Sequence, residues 1–354
     1  MKASPNPDER AFQKAIRAKP DARVIRLVYA DWLDERSDPR GELIRIEEEA
    51  RSVPIHSDVY WQLKPRRREL LKVIEKPWLK QMGYGGTDYQ PVFADIPDGW
   101  KERWRLLREF VERWYQIPMD DIGGPLKPFP PGSRYAGDAN LRTVEWAMND
   151  PKVCESIPLS VREWMFFIRD LQLSLPTFDY GSSDTHYFIE FEGQVHFTQQ
   201  DGSRYVSYVR PEERHEADPP VWFDNTQWLW NGSWDGTRST PRVLPPPRRG
   251  PDISRSTAPH VTTMALNFLL TQQYEPQFEH SHEPQEMTEE FARQLADYFP
   301  VRSHFDEMQL FERPNMIALW FPVSPFNYDA PAFHLMARRR RDLDKFSDQF
   351  QVFG

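Results

Sequence analysis

Three carboxylates near residue 31 are the first side chains whose spacing could support chemistry. Asp31 stands three residues before Asp34 and four before Glu35, so on a helix they share one face and could act as a general acid and base. Catalytic carboxylate pairs need burial to separate their pKa values, whereas this stretch carries several arginines between positions 26 and 40. The sequence therefore favours ion pairing here, and it predicts no catalytic residue.

Metal-binding residue types occur together around position 281. His280 and His282 are flanked by Glu279 and Glu283, and imidazole and carboxylate groups are common metal ligands. Alternate residues of an irregular segment present two ligands to one ion only with further partners, so an exposed polar loop is the favoured interpretation. Cys154 is the only cysteine, which excludes an intrachain disulfide and a thiolate cluster. The sequence predicts no metal and no cofactor, and the common nucleotide-binding, zinc-protease and serine-hydrolase motifs do not occur.

An aromatic segment near residue 230 carries residue types of a protein-binding surface. Trp228, Trp230 and Trp234 are separated mainly by small polar residues, with Asp224 and Asp235 beside them. Exposed tryptophans ringed by carboxylates would anchor a basic protein surface. The alternative is that Trp228 and Trp230 are strand residues, of which at least one is buried. These five residues form the candidate partner-binding site.

The elements of the N-terminal part are predicted to be helices. A helical hairpin is expected over 8–51, because one apolar stripe ends at Ser37-Asp38-Pro39 and Gly41 lets the chain turn into a second amphipathic helix. The first stripe is predicted to face the core, so replacing Trp32 with alanine should cost about 3–5 kcal/mol. Its members are Val24, Ile25, Leu27, Val28, Trp32 and Leu33.

Further amphipathic helices are expected at 58–82 and 100–115. In the second of these, Trp100, Trp104 and Trp114 share a face with leucine and valine, which is typical of a helix packed on a core.

The main domain boundary is expected in the loop 123–132, and the pattern changes after it, with a first helix expected at 141–148. A helix is expected at 157–171, followed by short alternating strands separated by glycine turns, which indicates an antiparallel meander. The predicted strands are 186–191, 195–198, 205–209, 219–223, 227–230, 307–312, 316–321 and 333–337. A long loop is expected at 231–259, with helices at 261–274, 288–299 and 338–350. The fold class is therefore predicted to be α+β, an N-terminal helical region followed by an antiparallel sheet flanked by helices.

The net charge of -9 disfavours a general nucleic-acid or anionic-membrane binder. Two basic stretches, 64–72 and 338–341, are interpreted as helix faces in an acidic protein. The N-terminus lacks the apolar stretch of a secretory signal peptide, and nowhere do eighteen apolar residues run together. A cytoplasmic protein that binds neither nucleic acid nor membrane is expected.

The segment from Arg26 to Glu42 resembles a bacterial repeat-companion domain. That family's signature pairs a helix reading RLVYADWL with a turn reading DPRGE, and Arg26–Leu33 and Asp38–Glu42 match it residue for residue. The resemblance covers about 45 residues. It implies a short accessory module without an established enzymatic activity.

A second resemblance spans roughly 138–354. The stretch Ile157–Trp164 (IPLSVREW) is similar to the first helix of the SUKH superfamily, and Asp218–Trp222, 266–270 and 333–343 follow in matching order. Asp170-Leu171-Gln172-Leu173 replaces the usual glycine-rich turn, and the loop at 241–251 is an insertion. Relatives include toxin-immunity proteins and regulators of yeast cell-wall assembly, so the resemblance implies a protein that binds proteins.

Together these features predict four regions. They are a repeat-companion-like module at 1–52, a helical connecting region at 53–124, a SUKH-like domain at 125–282 and an α+β extension at 283–354. The expected function is non-catalytic binding of a partner protein, such as a basic toxin, for neutralisation or regulation. Two alternatives stay open: an assembly component that self-associates through its helical N-terminus, and an enzyme with an unrecognised site.

Overall fold

The computed structural model describes residues 6–19, 22–84, 91–123, 149–174, 189–191, 194–199, 205–225, 256–271, 279–284, 286–321 and 331–351. The chain divides into two compact units, 1–90 and 91–354. Each unit has its own buried apolar cluster. No helix within the described ranges combines the length and the apolar character that crossing a membrane requires.

The first unit is helical. Consecutive helices pack on each other from α1 to α4, and α5 packs against α1. The hairpin expected at 8–51 is confirmed as α2 and α3, preceded by α1. The bounds are α1 (Pro7–Ala18), α2 (Arg23–Asp34), α3 (Pro39–Ala50), α4 (Asp58–Val73) and α5 (Lys76–Met82).

The turn between α2 and α3 explains the sequence Asp-Pro-Arg-Gly. The Asp38 carboxylate accepts a hydrogen bond from the Arg40 backbone N–H at 3.0 Å and so caps α3. Pro39 follows in the first turn, where its missing N–H has no intrahelical partner to lose. A Cβ built on Gly41 would lie 2.8 Å from the Ala30 carbonyl oxygen and against the Asp34 carboxylate. Gly41 therefore allows α2 and α3 to approach closely.

Replacing Gly41 with alanine should destabilise the protein by about 1–3 kcal/mol. Alanine normally stabilises a helix interior relative to glycine by about 1 kcal/mol, so the sign here is reversed by the backbone contact with Ala30. Urea unfolding measures the change. Gly99→Ala is a suitable comparison, because a Cβ there meets only the flexible end of Glu102. Equal stability of Gly41→Ala and the parent protein would contradict the close approach.

The apolar stripe predicted for α2 is partly wrong. Val24 and Val28 are 73% and 48% exposed, while the buried face consists of Arg26, Tyr29, Ala30 and Leu33. The face is rotated because Arg26 is buried with partners of its own: its guanidinium donates to the Tyr84 hydroxyl at 2.8 Å and lies 3.5 Å from the Glu48 carboxylate. Hydrophobic periodicity counts such an arginine as a surface residue.

Trp32, expected in the core, is only half-buried. Its ring packs beside Phe12 and Tyr29, and the Arg36 guanidinium lies 3.9 Å from the ring centroid. Because much of the ring already contacts solvent or a solvated side chain, the expected cost of Trp32→Ala falls below the range for a core tryptophan.

The second unit combines helices with two antiparallel sheets, which confirms the α+β class. Their orders are β1-β2-β3-β4-β5 and β6-β10-β9-β8-β7. The helices are α6 (Trp100–Trp114), α7 (Pro151–Ser156), α8 (Leu159–Ser174), α9 (Val261–Thr271), α10 (Glu289–Tyr298) and α11 (Arg340–Phe350). The strands are β1 (Ile189–Phe191), β2 (Gln194–Gln199), β3 (Tyr205–Val209), β4 (Val221–Asn225), β5 (Ser256–Ala258), β6 (Glu279–Pro284), β7 (Val301–Phe305), β8 (Met308–Arg313), β9 (Met316–Phe321) and β10 (Ala332–Ala337).

Both faces of the second sheet are buried in its central strands. Alternate residues of β8 and β9 enter the main core with α6, α8 and α9, and the residues between them pack under α10 and α11.

Strands β5 and β7 were not predicted from the sequence. The polar loop expected around His280 is also wrong, because this segment is the edge strand β6, paired with β10.

Helix α6 lies in the core of the second unit. Trp104, Leu107, Val111 and Trp114 are buried, which confirms the predicted core face. The region 53–124, predicted to connect two domains, spans both units: α4 and α5 lie in the first and α6 in the second.

Candidate functional site

Most of the partner-binding residues predicted from the sequence lie outside the described residues. This holds for Trp228, Trp230, Trp234 and Asp235. Asp224 lies in β4, where its backbone is in register with Val206 of β3. The tryptophan surface therefore stays a prediction.

The carboxylates of α2 form ion pairs, as the sequence indicated. Asp31 and Asp34 both pair with Arg45 of α3, and Arg45 Nε lies 2.9 Å from Asp34 Oδ2. The exposed Glu35 lies 3.4 Å from Arg36. Exposed pairs of this kind contribute little stability and lack the burial that acid–base chemistry needs. Arg45 is the partner that the sequence did not identify, because it comes from the neighbouring helix.

The basic stretch 64–72 also forms ion pairs within the first unit. Arg66 donates two hydrogen bonds of 2.7 Å to Glu42, and Arg67 donates one of 2.8 Å to Glu47. These contacts tie α4 to α3. Arginines engaged with carboxylates offer little free charge to a phosphate backbone.

A polar cluster in the second unit was not found from the sequence. Asp218 accepts hydrogen bonds from the Thr262 backbone N–H at 3.3 Å and its hydroxyl at 2.7 Å, so it caps the start of α9. Burial raises the pKa of Asp218 above its usual range, although hydrogen bonds from Ser160 and Thr262 oppose the shift. The His260 ring Nδ1 lies 2.9 Å from the Asp218 carbonyl oxygen.

The same cluster extends to a second carboxylate, Asp306. Arg103 donates two hydrogen bonds of 3.0 Å to it, Thr263 donates another, and His260 Nε2 lies 4.0 Å away. Asp306 has a positive φ of 53° in the turn between β7 and β8. The cluster thus connects α6, α9 and the second sheet.

The chemistry of this cluster is structural rather than nucleophilic. Ser160 is fully buried, and its hydroxyl accepts a 2.6 Å hydrogen bond from the Trp104 indole. A substrate could not reach a serine in that position. Asp218 was noticed in the sequence only within the stretch Asp218–Trp222 of the second resemblance. Its partners lie 42 to 58 residues away, so no local spacing connects them.

No group of three potential metal ligands occurs among the described residues. The backbone of His282 is in register with His334 of β10, and the side chains of His280 and His282 lie outside the described part of the structure.

The surface of the first unit carries unusual apolar exposure. Of the six large hydrophobic side chains that are exposed among the described residues, five lie in the first unit. Val24 and Val28 are one turn apart on α2 and present one face, which continues into the exposed Asp31 and Glu35. The remaining three are Ile55, Val59 and Val73.

Comparison with known proteins gives no relative from which a function for these features could be inferred. No family model matches the chain, and neither the curated proteins nor the solved structures contain a match. The two resemblances in the sequence therefore stay expectations.

Proposed function

We propose that the protein is a non-catalytic binding protein of the immunity or regulatory kind, which acts in the cytoplasm on a partner protein. The observation that supports this proposal is the exposed pair Val24 and Val28 on α2. Burying a valine side chain at an interface is worth about 1.5 kcal/mol or more, so two neighbouring valines can anchor a partner.

The rigidity of the helix favours this use. Helix α2 is held against α3 by the close contact at Gly41, by the Arg26–Glu48 pair and by Arg45, which bridges Asp31 and Asp34. A surface that does not reorganise on binding loses less entropy, so more of its contact energy appears as affinity.

The charge of the protein indicates the kind of partner. The whole chain has a net charge of -9, and the exposed carboxylates Asp31 and Glu35 continue the valine face of α2. A basic protein with an apolar patch would associate with such a surface faster than a neutral protein would. An acidic protein would be repelled. A basic toxin, for which this chain would be the immunity protein, fits that description.

The product of the gene adjacent to that of this chain is the partner to test. Co-purification followed by calorimetric titration should give a complex that Val24→Ser with Val28→Ser weakens at least about tenfold, or 1.4 kcal/mol. Val73→Ser is the matched control, because Val73 is similarly exposed but lies on α4. Unchanged melting of the double variant would separate binding from folding.

Affinity that survives the valine double variant would contradict the proposed surface. Trp234→Ala with Asp235→Ala then tests the tryptophan segment predicted from the sequence. Loss of affinity by at least about 2 kcal/mol there would move the site to that segment.

Self-association through the helical N-terminus is the second candidate, and the same exposed valines favour it. Sedimentation equilibrium distinguishes the two functions. If the parent protein is a dimer and the valine double variant is not, the protein is an assembly component. If the parent is a monomer that binds the product of the adjacent gene, the immunity or regulatory role is supported.

A further inference from the structure

The edge strand β7 of the second sheet carries unpaired positive and polar groups. Among the strands that the structure describes it pairs with β8 only, at one end of the order β6-β10-β9-β8-β7. Arg302 and His304 are both exposed, and neither forms an ion pair or a side-chain hydrogen bond within the described residues. An edge strand leaves a row of backbone N–H and C=O groups able to accept another strand.

A groove of ≈260 Å³ lies along this edge. Arg302 and His304 of β7, Gln309 and Phe311 of β8, and Ala292 of α10 contribute to its walls. Arg302 is in register with Phe311 and His304 with Gln309. Both exposed side chains therefore lie on the face of the sheet that α10 covers, two residues apart along one strand.

We propose that β7 binds an extended acidic segment of a partner protein, which adds to the sheet as a further strand. Its backbone pairs with the free edge of β7, and carboxylates at alternate positions face Arg302 and His304. This site lies in the second unit and goes beyond the function proposed for α2.

The pattern of the bound segment follows from the pleat. Residues opposite Arg302 and His304 are two apart and share their face, so both are acidic. The residue between them lies opposite Ser303, on the face where Leu310 and Phe305 enter the core, so it is apolar. The recognised sequence is therefore acidic, apolar, acidic, in an extended conformation.

Charge also bears on the main competitor, a second copy of the same strand. Antiparallel pairing of two β7 edges about Ser303 would place Arg302 of each copy opposite His304 of the other. Like charges directly opposite destabilise a pair of strands, so this pairing is disfavoured when the imidazole is protonated. The charges that disfavour self-pairing thus select for an acidic strand.

The probe is a capped nine-residue peptide in which glutamate alternates with valine, labelled for fluorescence anisotropy. It should bind the full chain, and hydrogen exchange should show protection of the backbone amides of 301–305. A peptide with lysine for glutamate should bind at least about tenfold more weakly. A peptide with proline for the central valine should also lose affinity, because proline removes a backbone donor.

Variants of the protein locate the site. Arg302→Glu should weaken binding of the glutamate peptide about tenfold or more, and Arg339→Glu should not. Arg339 is an exposed arginine in the same unit, so the two variants change the net charge equally. Val24→Ser with Val28→Ser should bind the peptide normally, which separates this proposal from the one for α2.

Several results would overturn the assignment. They are a dissociation constant above about 1 mM for the glutamate peptide, equal binding of the lysine peptide, and affinity that Arg302→Glu leaves unchanged. A concentration-dependent dimer that protects the amides of 301–305 without peptide would also overturn it, by showing that a second copy occupies the edge.

Discussion

Replacing Glu163 with alanine should lower the free energy of unfolding by about 3–5 kcal/mol, because it removes the carboxylate that pairs directly with a buried arginine. Arg108 and Glu163 are side chains of α6 and α8 with 2% and 4% exposure, and they form an ion pair. The second carboxylate oxygen of Glu163 accepts a 3.0 Å hydrogen bond from the Gly123 backbone N–H. Burial lowers the pKa of Arg108 to about 10, although nearby acidic groups such as Asp170 and Asp121 oppose the shift.

Substituting Arg108 and Glu163 together separates the attraction between the two charges from the free-energy cost of burying them. Arg108→Leu with Glu163→Leu removes both charges and fills the space with apolar atoms. The double variant should therefore lose much less stability than Glu163→Ala alone. Urea denaturation of the three proteins at neutral pH measures both differences. A Glu163→Ala variant within about 1 kcal/mol of the parent would contradict the account, since it would mean that the direct ion pair contributes little to stability.

Helix α6 shows how far the sequence could predict the fold. The spacing of its apolar residues predicted a helix whose tryptophan face lies in the core, and both features are confirmed. The burial of Arg103, Arg105 and Arg108 on its other sides was not predicted. Their partners Asp306, Asp121 and Glu163 lie between 16 and 203 residues away, so no local pattern contains them.

The strands that the sequence missed share a different cause. β7 follows Pro300 and alternates Val301, Ser303 and Phe305 with two basic residues, so it offers little apolar signal. β6 is made mainly of histidine and glutamate, which is typical of a loop. Both lie at the edges of the second sheet, where strands need less apolar surface than in its centre. Tertiary pairing, rather than local preference, makes them strands.

The candidate sites were equally hard to locate from the pattern. Val24 and Val28 were assigned to the core because apolar residues surround them in the sequence, and burial of the intervening Arg26 turned them outward. The burial of Arg26 could have been predicted only by recognising Glu48, twenty-two residues later, as its ion-pair partner. The groove at β7 depends on an edge strand that the sequence did not predict.

Replacing Trp104 with alanine should cost about 3–5 kcal/mol, as expected for a fully buried aromatic residue. Its ring lies 5.4 Å from that of Phe167 and 6.5 Å from that of Trp164, and its indole N–H donates to Ser160 at 2.6 Å. Thermal and urea unfolding should both detect the loss. Trp104→Phe keeps an aromatic ring but removes the indole N–H donor, so it should lose less stability than the alanine variant. Its loss measures the hydrogen bond plus the smaller change in side-chain volume.

Trp32→Ala is the matched control, since the sequence assigned both tryptophans to apolar helix faces. Trp32 is half-buried in the first unit and has a guanidinium over its ring, so its alanine variant should lose less than half of what Trp104→Ala loses. Unfolding of the two units must be followed separately, because they have separate apolar clusters. Equal losses at the two positions would mean that Trp32 is a core residue after all. In that case the buried face of α2 would include Trp32, and the outward orientation of Val28, on which the proposed binding surface depends, would have to be reconsidered.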